Sequence, residues 1–450
     1  MQYFHSVTLD KTKCHGCTNC ISHCPTEAIR VREGKAKIIK ERCIDCGECI
    51  KVCQSHAKIV AADDFSMLDK FEYNIAMPAP SFYAQFRSET GVNRILNSFL
   101  KIGFDDVFEV ARGAEHISLA TRQLLKSGNV KKPVISSACP AVLRLIRERF
   151  PNLLENVLNL ISPMEAAASL ARERAMKKTG LSDDKIGVFF ITPCPAKVTS
   201  VKSPLTLEKS SVSGAISAKD VFARIRPIIE SVTDEVMLEE SGAYGIRWAR
   251  SGGECSGSGV EDYMAVDGIH NVINVLEEVE YGKVRGVEFI EFSACTSGCS
   301  GGPLNLVNPF LASRRISQQA KKCGKSENKI SGNNDETLHE NSRLLNGEDF
   351  SDINRFKWKT EVKAAAAPPL DTDLDKALEK MEEMERIYAR LPKLDCGSCG
   401  SPSCRSLAED IVRGFGRESD CIFRMRERVE ELASELFELN KNYQKSKNDK

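Results

Sequence analysis

Residues 286–303 read Gly286-Val-Glu-Phe-Ile-Glu-Phe-Ser-Ala-Cys295-Thr-Ser-Gly-Cys299-Ser-Gly-Gly-Pro303. An apolar, β-prone run predicts a buried strand over 286–292, and it stops in a glycine-rich loop that carries two thiols. The same plan occurs twice upstream. Lys132-Pro-Val-Ile-Ser136 predicts a strand that leads into Ser137-Ala138-Cys139-Pro140, and Lys185-Ile-Gly-Val-Phe-Phe-Ile191 leads into Thr192-Pro193-Cys194-Pro195-Ala196-Lys197. Across 71–312, short apolar runs alternate with helical patterns, which predicts an α/β domain around a largely parallel sheet. Three such strands would bring Cys139, Cys194, Cys295 and Cys299 to the carboxyl edge of one sheet, where open α/β folds build their sites. Free cysteines are often just small buried hydrophobes. That reading leaves unexplained why each one abuts a Pro or Gly loop directly after a strand. Four thiols gathered there predict a 4Fe–4S cubane.

A second cysteine pattern lies nearer the N-terminus: Cys14-x2-Cys17-x2-Cys20-x3-Cys24-Pro25, then Cys43-x2-Cys46-x2-Cys49-x3-Cys53. Three thiolates on one tight loop can take three corners of a cubane, and the fourth cysteine of each run lies too far along to close the same loop. A zinc ribbon or a disulfide framework would show isolated CxxC pairs instead. The spacing resembles that of two-cluster bacterial ferredoxins, in which each fourth cysteine serves the other cluster. The resemblance implies an α+β ferredoxin module over 1–63. Cys14, Cys17, Cys20 and Cys53 would hold one cluster, and Cys43, Cys46, Cys49 and Cys24 the second. Such a module carries electrons.

The 450 residues suffice for about three domains, and 42% hydrophobic content can fill a sizeable core. Lys plus Arg and Asp plus Glu each total 63, so no global field argues for nucleic acid or an acidic membrane surface. Eighteen cysteines behind a start that has no basic stretch followed by an apolar one lead us to expect a reducing cytoplasm. No apolar run approaches membrane-spanning length. The histidines show no ligand-like spacing.

The three strand-end loops have the forms SxCP (137–140), PCxxK (193–197) and ExxxCxxGCxxG (291–302). With them, residues 1–312 resemble the [FeFe]-hydrogenase large subunit. The resemblance implies an H-cluster, in which the four cysteines hold a 4Fe–4S part and Cys299 bridges to a diiron unit carrying carbonyl, cyanide and an azadithiolate. Lys197 would donate a charge-assisted hydrogen bond to an iron-bound cyanide. The implied chemistry is reversible conversion of H2 to protons and electrons, with a ferredoxin-like redox partner and separate maturation proteins. The sequence departs from the catalytic pattern at the proton relay. Where active relatives have a cysteine before the first ligand, this chain has Ala138. Their MEExxE-like stretch matches Val110-Ala111-Arg112-Gly113-Ala114-Glu115, so Glu115 is the one acid retained, and two family methionines are Thr192 and Ser293. General acid–base catalysis contributes roughly 10²–10⁴-fold, so the missing thiol predicts slow turnover and a likeness to the sensory branch. Two other readings stand beside it: a fully catalytic component of a ferredoxin-coupled complex, and an electron-transfer protein with cubanes only, like the relatives that resemble prelamin recognition factor.

From 313 to 370 the composition turns polar, which predicts an insertion or linker with a lone Cys323. Asp371 or Thr372 can cap a helix over 373–391 whose Met381, Met384, Ile387 and Tyr388 face a core. Beyond it Cys396-Gly-Ser-Cys399-Gly-Ser-Pro-Ser-Cys404, with Cys421, resembles the four-cysteine iron–sulfur domain of Rnf complexes and corrinoid proteins. That implies a third 4Fe–4S cluster in a mostly α domain over 371–437, with a helix over 405–414; zinc is the alternative. Ile422, Met425, Val429, Leu432, Leu436, Leu439 and Tyr443 then make an a/d seam over 422–447. The seam is either a coiled coil that pairs two copies or reaches a signalling partner, or a helix docked on its own domain. Cys255, in the Gly/Ser loop after Trp248, reads as a plain loop thiol, with a place beside the diiron unit as the other reading.

Overall fold

The structure, a computed structural model, describes residues 4–323, 352–365 and 369–448. The described residues divide into two compact units: 4–8, 44–47, 60–323 and 352–365 form the first, and 9–43, 48–59 and 369–448 the second. The N-terminal cysteine stretch begins at strand β1 (Val7–Leu9), contains the antiparallel hairpin β2 (Ile29–Arg32) and β3 (Lys35–Ile38), and closes at β4 (Lys58–Val60).

The first unit carries β5 (Tyr73–Pro78), β6 (Asp106–Val107), β7 (Val134–Ile135), β8 (Ile186–Thr192), β9 (Gly214–Ser217), β10 (Tyr263–Asp267) and β11 (Phe289–Ser293). Every pairing among them is parallel. They do not form one sheet. The order β6-β5-β8-β9 makes a four-stranded sheet and β10-β11-β7 a three-stranded one. The expectation of a single carboxyl edge is therefore corrected: β7 and β11 bring their loops from one sheet, and β8 brings its loop from the other. All seven residues of β8 are buried, as a central parallel strand requires. β7 is only two residues long: Pro133 cannot donate to a ladder, and the last bond to β11 is from Ser136 N to Ile290 O at 2.9 Å.

The stretch expected to be a linker is not uniform. Helix Pro309–Lys322 runs into it, residues 324–351 lie outside the described residues, and the chain then returns to the core. Phe356 and Val362 are buried there, and Trp358 Nε1 donates to Leu160 O at 2.7 Å.

In the second unit, helix Leu374–Arg390 starts at Asp373, whose carboxylate accepts from Lys376 N at 3.1 Å. Met384 and Ile387 enter a small core with Leu407 and Cys421, but Met381 is 53% exposed and takes no part in it. Helix Cys404–Val412 carries the third cysteine of the C-terminal set at its first residue. Helix Ile422–Asn448 leaves Val429, Leu432, Leu436 and Leu439 exposed, so the docked-helix reading of the seam is not what the structure has.

Candidate metal centre

The loops after β7, β8 and β11 line one cavity with Cys139, Cys194, Cys295 and Cys299 on its wall. Cys139 and Cys194 are each followed by a helix that opens with proline, Pro140–Arg149 and Pro195–Lys202. Proline costs nothing at a first helical position, where the amide has no partner, and it fixes the entry of the chain. Both thiols thus sit at the positive end of a helix. Thr192 shapes the second loop: its Oγ1 donates to Cys194 O at 2.9 Å and accepts from Cys194 N at 3.1 Å. Ser293, at the other altered methionine position, lies on the cavity wall.

Burial and the charge of nearby Cys139 and Cys299 push Cys194 up to about 12. Burial pushes Cys299 to about 12 as well, although the Lys197 ammonium works against it. Thiols gathered this way keep their protons until a metal displaces them. The donor set therefore fits a thiolate-bound iron cluster.

Two more groups on the wall make no side-chain hydrogen bond among the described residues. Ser81 Oγ is buried with no hydrogen bond among the described residues. Lys197 points its ammonium toward the Phe190 ring, 5.9 Å from the centroid, and no hydrogen bond to it is seen among the described residues. A hydroxyl and an ammonium without hydrogen bonds among the described residues, on a mostly apolar wall, favour an occupant with polar or anionic ends.

Ala138 lines the cavity and presents a methyl group to it. Behind it lies a carboxylate that the sequence reading did not single out. Ala138 N donates to Ser136 Oγ at 3.2 Å, and Ser136 Oγ donates to Glu254 Oε2 at 2.6 Å. Glu254 is on the wall, and burial together with the charge of Glu291 raises its proton affinity well above the usual carboxylate range. Glu291 also lines the cavity and accepts from Gly252 N at 3.0 Å and Cys255 N at 2.9 Å. Those two donors favour charge on Glu291, which leaves the proton of the pair on Glu254. The sequence signal was the Gly/Ser loop itself, in which attention fell on Cys255 rather than on its acidic neighbour. Cys255 sits in the core, where burial and Glu291 hold its thiol far above the ordinary range. Glu115 is not among the wall residues. Its Oε1 accepts from Gly242 N at 2.7 Å, and burial pushes it up to about 7 despite Arg112. Cys323 ends its helix by donating to Glu239 Oε1 at 3.0 Å.

Residues 44–47, within the second ferredoxin-type run, belong to the first unit. Ile44 and Cys46 pack in the core cluster that holds Cys194 and Ala196. Gly47 has φ +81, and a Cβ there would sit 2.6 Å from Pro303 Cγ and 3.1 Å from Pro195 Cγ. A cysteine of the second run is thus adjacent to loops that carry Cys194 and Cys299.

The remaining cysteines lie in the second unit. Backbone amides donate to Cys14 (Ala36 N, 3.4 Å), Cys24 (Ala28 N, 3.2 Å) and Cys53 (Ala57 N, 3.3 Å), the contacts that steady a thiolate on iron. Cys14 and Cys17 raise Cys20 by their charge, after burial, and Lys58 opposes them. Lys58 is itself buried, and its ammonium has no hydrogen-bond partner among the described residues. Cys396, Cys399, Cys404 and Cys421 line a small pocket of their own.

A family model described as the iron only hydrogenase large subunit, C-terminal domain, matches residues 72–253 and 208–303. A 4Fe-4S dicluster model matches 6–54, and an Fe-S cluster model matches 391–423. The chain is similar to iron hydrogenase 1 of Clostridium pasteurianum, 26% identical over 64% of this chain and 55% of that protein. It is also similar to a "Probable cytosolic Fe-S cluster assembly factor" of Drosophila mojavensis, 22% identical over 76% of this chain and 89% of that one. A solved [FeFe]-hydrogenase HydA1 from Chlamydomonas reinhardtii aligns with TM-score 0.46 and 14% identity, covering 67% of this chain and 98% of that one. The chain spans 39% and 55% of the length of two curated hydrogenases it matches. No helix among the described residues is long and apolar enough to cross a membrane.

Proposed function

Because this chain belongs to the iron only hydrogenase large-subunit family, we propose that it binds H2 and interconverts it slowly with protons and electrons, in a sensory role. In this reading Cys139, Cys194, Cys295 and Cys299 would hold an H-cluster, a 4Fe–4S part with a CO/CN-ligated diiron unit, with Cys299 serving both parts. Two clusters of the ferredoxin type sit on Cys14, Cys17, Cys20 and Cys53 and on Cys43, Cys46, Cys49 and Cys24, and a further one on Cys396, Cys399, Cys404 and Cys421. The observation that carries the reading is the pair Lys197 and Ser81 on the wall that holds the four thiols, both without a side-chain hydrogen bond among the described residues. They are the donors that anionic diatomic ligands need in a cavity with few other polar groups.

When bound, the diiron unit supplies H–H bond heterolysis. The protein's part is to hold, orient and connect. Lys197 and Ser81 donate to polar ends of the occupant, and the apolar wall keeps water out. Ala138 passes no proton, so protons travel between the cavity and Glu254 with Ser136 beside them. Replacing an adjacent thiol by this less direct path lowers the rate, which suits a detector better than a producer. Electrons leave through the loop 44–47, where Gly47 lets the Cys46 segment lie against Pro195 and Pro303. Separate maturation proteins supply the diiron unit, a ferredoxin-like protein exchanges the electrons, and the setting is the cytoplasm. A cubane-only electron-transfer role is the second reading, favoured by the long match to the cluster assembly factor.

Infrared spectra of anaerobically matured protein under argon and then hydrogen separate the two. Bands of iron-bound carbonyl and cyanide that shift with hydrogen are expected. Their absence after maturation that succeeds on a control hydrogenase overturns the hydrogen reading.

A further inference from the structure

The second unit joins two cysteine-bearing segments whose nearest cysteines, Cys53 and Cys396, are 343 residues apart in sequence. Asp410, on the helix that begins at Cys404, is buried and accepts from Arg30 Nε at 2.7 Å, Arg32 Nη2 at 2.7 Å and Ser401 Oγ at 2.7 Å. Arg42 pairs with Glu409 on the same helix, and Ser406 with Glu27. Buried charges satisfied from both sides fix one register, which a loosely tethered module would not need.

The contact is closest where the ligand loops themselves meet. Val31 N donates to Gly400 O at 2.7 Å, and a Cβ on Gly400, at φ +79, would lie 2.0 Å from Val31 O. Arg32 Nη1 donates to Cys399 O at 3.0 Å. Gly397, between Cys396 and Cys399, stands with its Cβ position 3.3 Å from the side chain of Ile21, the neighbour of Cys20. The strand that follows, β3, supplies Ala36 N to the Cys14 sulfur. Cys14 and Cys20 belong to the same expected cluster; on the other side Glu27, near Cys24, meets Ser406 in the first turn of helix Cys404–Val412, and Arg42 meets Glu409 further along it.

We propose that the cluster on Cys396, Cys399, Cys404 and Cys421 exchanges electrons directly with the cluster on Cys14, Cys17, Cys20 and Cys53, across a contact clamped by Asp410, Arg30 and Arg32. One electron leaves one cluster as the other gains it, and no proton or atom moves. Lys58, buried beside Cys20 with no hydrogen-bond partner for its ammonium among the described residues, stabilises the reduced form of the receiving cluster. The C-terminal module is then one terminal of this cluster pair, with exposed Cys396 at its open side. The proposal rests on the cluster assignments above but needs no diiron unit and no hydrogen chemistry.

The test uses the whole chain with its cubanes reconstituted anaerobically and reduced by dithionite. Iron content and pulsed electron paramagnetic resonance are compared between the native chain and Cys404→Ser. The expected result is one cubane fewer in the variant, together with loss of a dipolar enhancement of spin relaxation that the ferredoxin-type signal shows in the native chain. Equal relaxation with the iron difference present overturns direct exchange and leaves the cluster assignment standing. Equal iron overturns the assignment itself. Gly400→Val should keep the iron and lose the enhancement; native iron with full enhancement in that variant refutes the clamp as the basis of the contact. Should that variant lose iron, Arg32→Gln takes its place under the same criteria.

Discussion

Replacing Ala138 by cysteine returns a titratable group to the cavity wall, one residue before the first thiol of the site. Its effect is bounded by what already stands behind it. A general acid or base in contact with the reacting atoms contributes roughly 10²–10⁴-fold, or about 2.7–5.5 kcal/mol of barrier. The native chain is not without a proton carrier, since Glu254 holds one at the wall and Ser136 Oγ lies 2.6 Å from it. The variant should therefore gain the lower part of that range, on the order of 10–100-fold in hydrogen evolution from reduced dye. The new thiol would hand its proton on to the same carboxylate. Glu254→Gln should accordingly lower the rate both in the native chain and in the Ala138→Cys variant, and the two changes should fail to add in free energy. Infrared band intensities normalise for loading of the diiron unit. An unchanged rate in Ala138→Cys at equal loading would show that proton delivery to the cavity does not limit turnover. A Glu254→Gln chain as active as the native one would place the proton path elsewhere.

Glu115 gives a pH-dependent prediction whose sign follows from its burial. Its carboxyl is pushed up to about 7 in the fold from an ordinary value near 4.5, so the folded chain binds more protons than the unfolded chain between those limits. Stability should fall as pH rises from about 4.5 to 7, by about 3 kcal/mol if the full shift is expressed, and Glu115→Gln should flatten that slope in thermal melts; an unaltered slope refutes it. Lys58→Met should lower the midpoint potential of one ferredoxin-type cluster, on the order of 60 mV if the buried charge is worth about 1.4 kcal/mol, with iron content unchanged. An unmoved potential in redox titration would mean the ammonium is compensated otherwise. The exposed seam of helix Ile422–Asn448 has Ile422 and Val429 at a and Leu432 and Leu439 at d, a pattern that favours two-stranded pairing. Sedimentation should find a dimer that Leu436→Asp dissociates, and a monomeric native chain sinks that expectation.

The cysteine positions were readable because ligand spacing is local: CxxCxxC places three thiols on one turn whatever the rest of the chain does. The loops after Ser136, Ile191 and Phe292 were readable for the same reason, since each lies directly behind its strand. Which strands share a sheet was not, because β7 pairs with β11 across about 150 residues and nothing in either run names the other. Glu254 escaped notice because a single acid in a Gly/Ser loop has no pattern, and its meaning comes from Ser136, 118 residues away. Phe356 and Trp358 were obscured by the polar stretch before them. Met381 satisfied the helical period of its neighbours, but the domain is too small to cover that much of the face.

Gly47 and the segment around it bear on how such chains can be cut and recombined. Ile44 fills the same core as Ile135 and Leu145, Ser6 Oγ donates to Pro195 O at 2.7 Å, and Asp45 accepts from Val7 N at 3.0 Å. The part of the N-terminal stretch that carries Ser6, Val7 and residues 44–47 is consequently not a detachable cassette. Excising it would strip apolar cover and a hydrogen bond from the loop that presents Cys194, so a shortened descendant of this chain would have to rebuild that wall before it could dispense with the clusters.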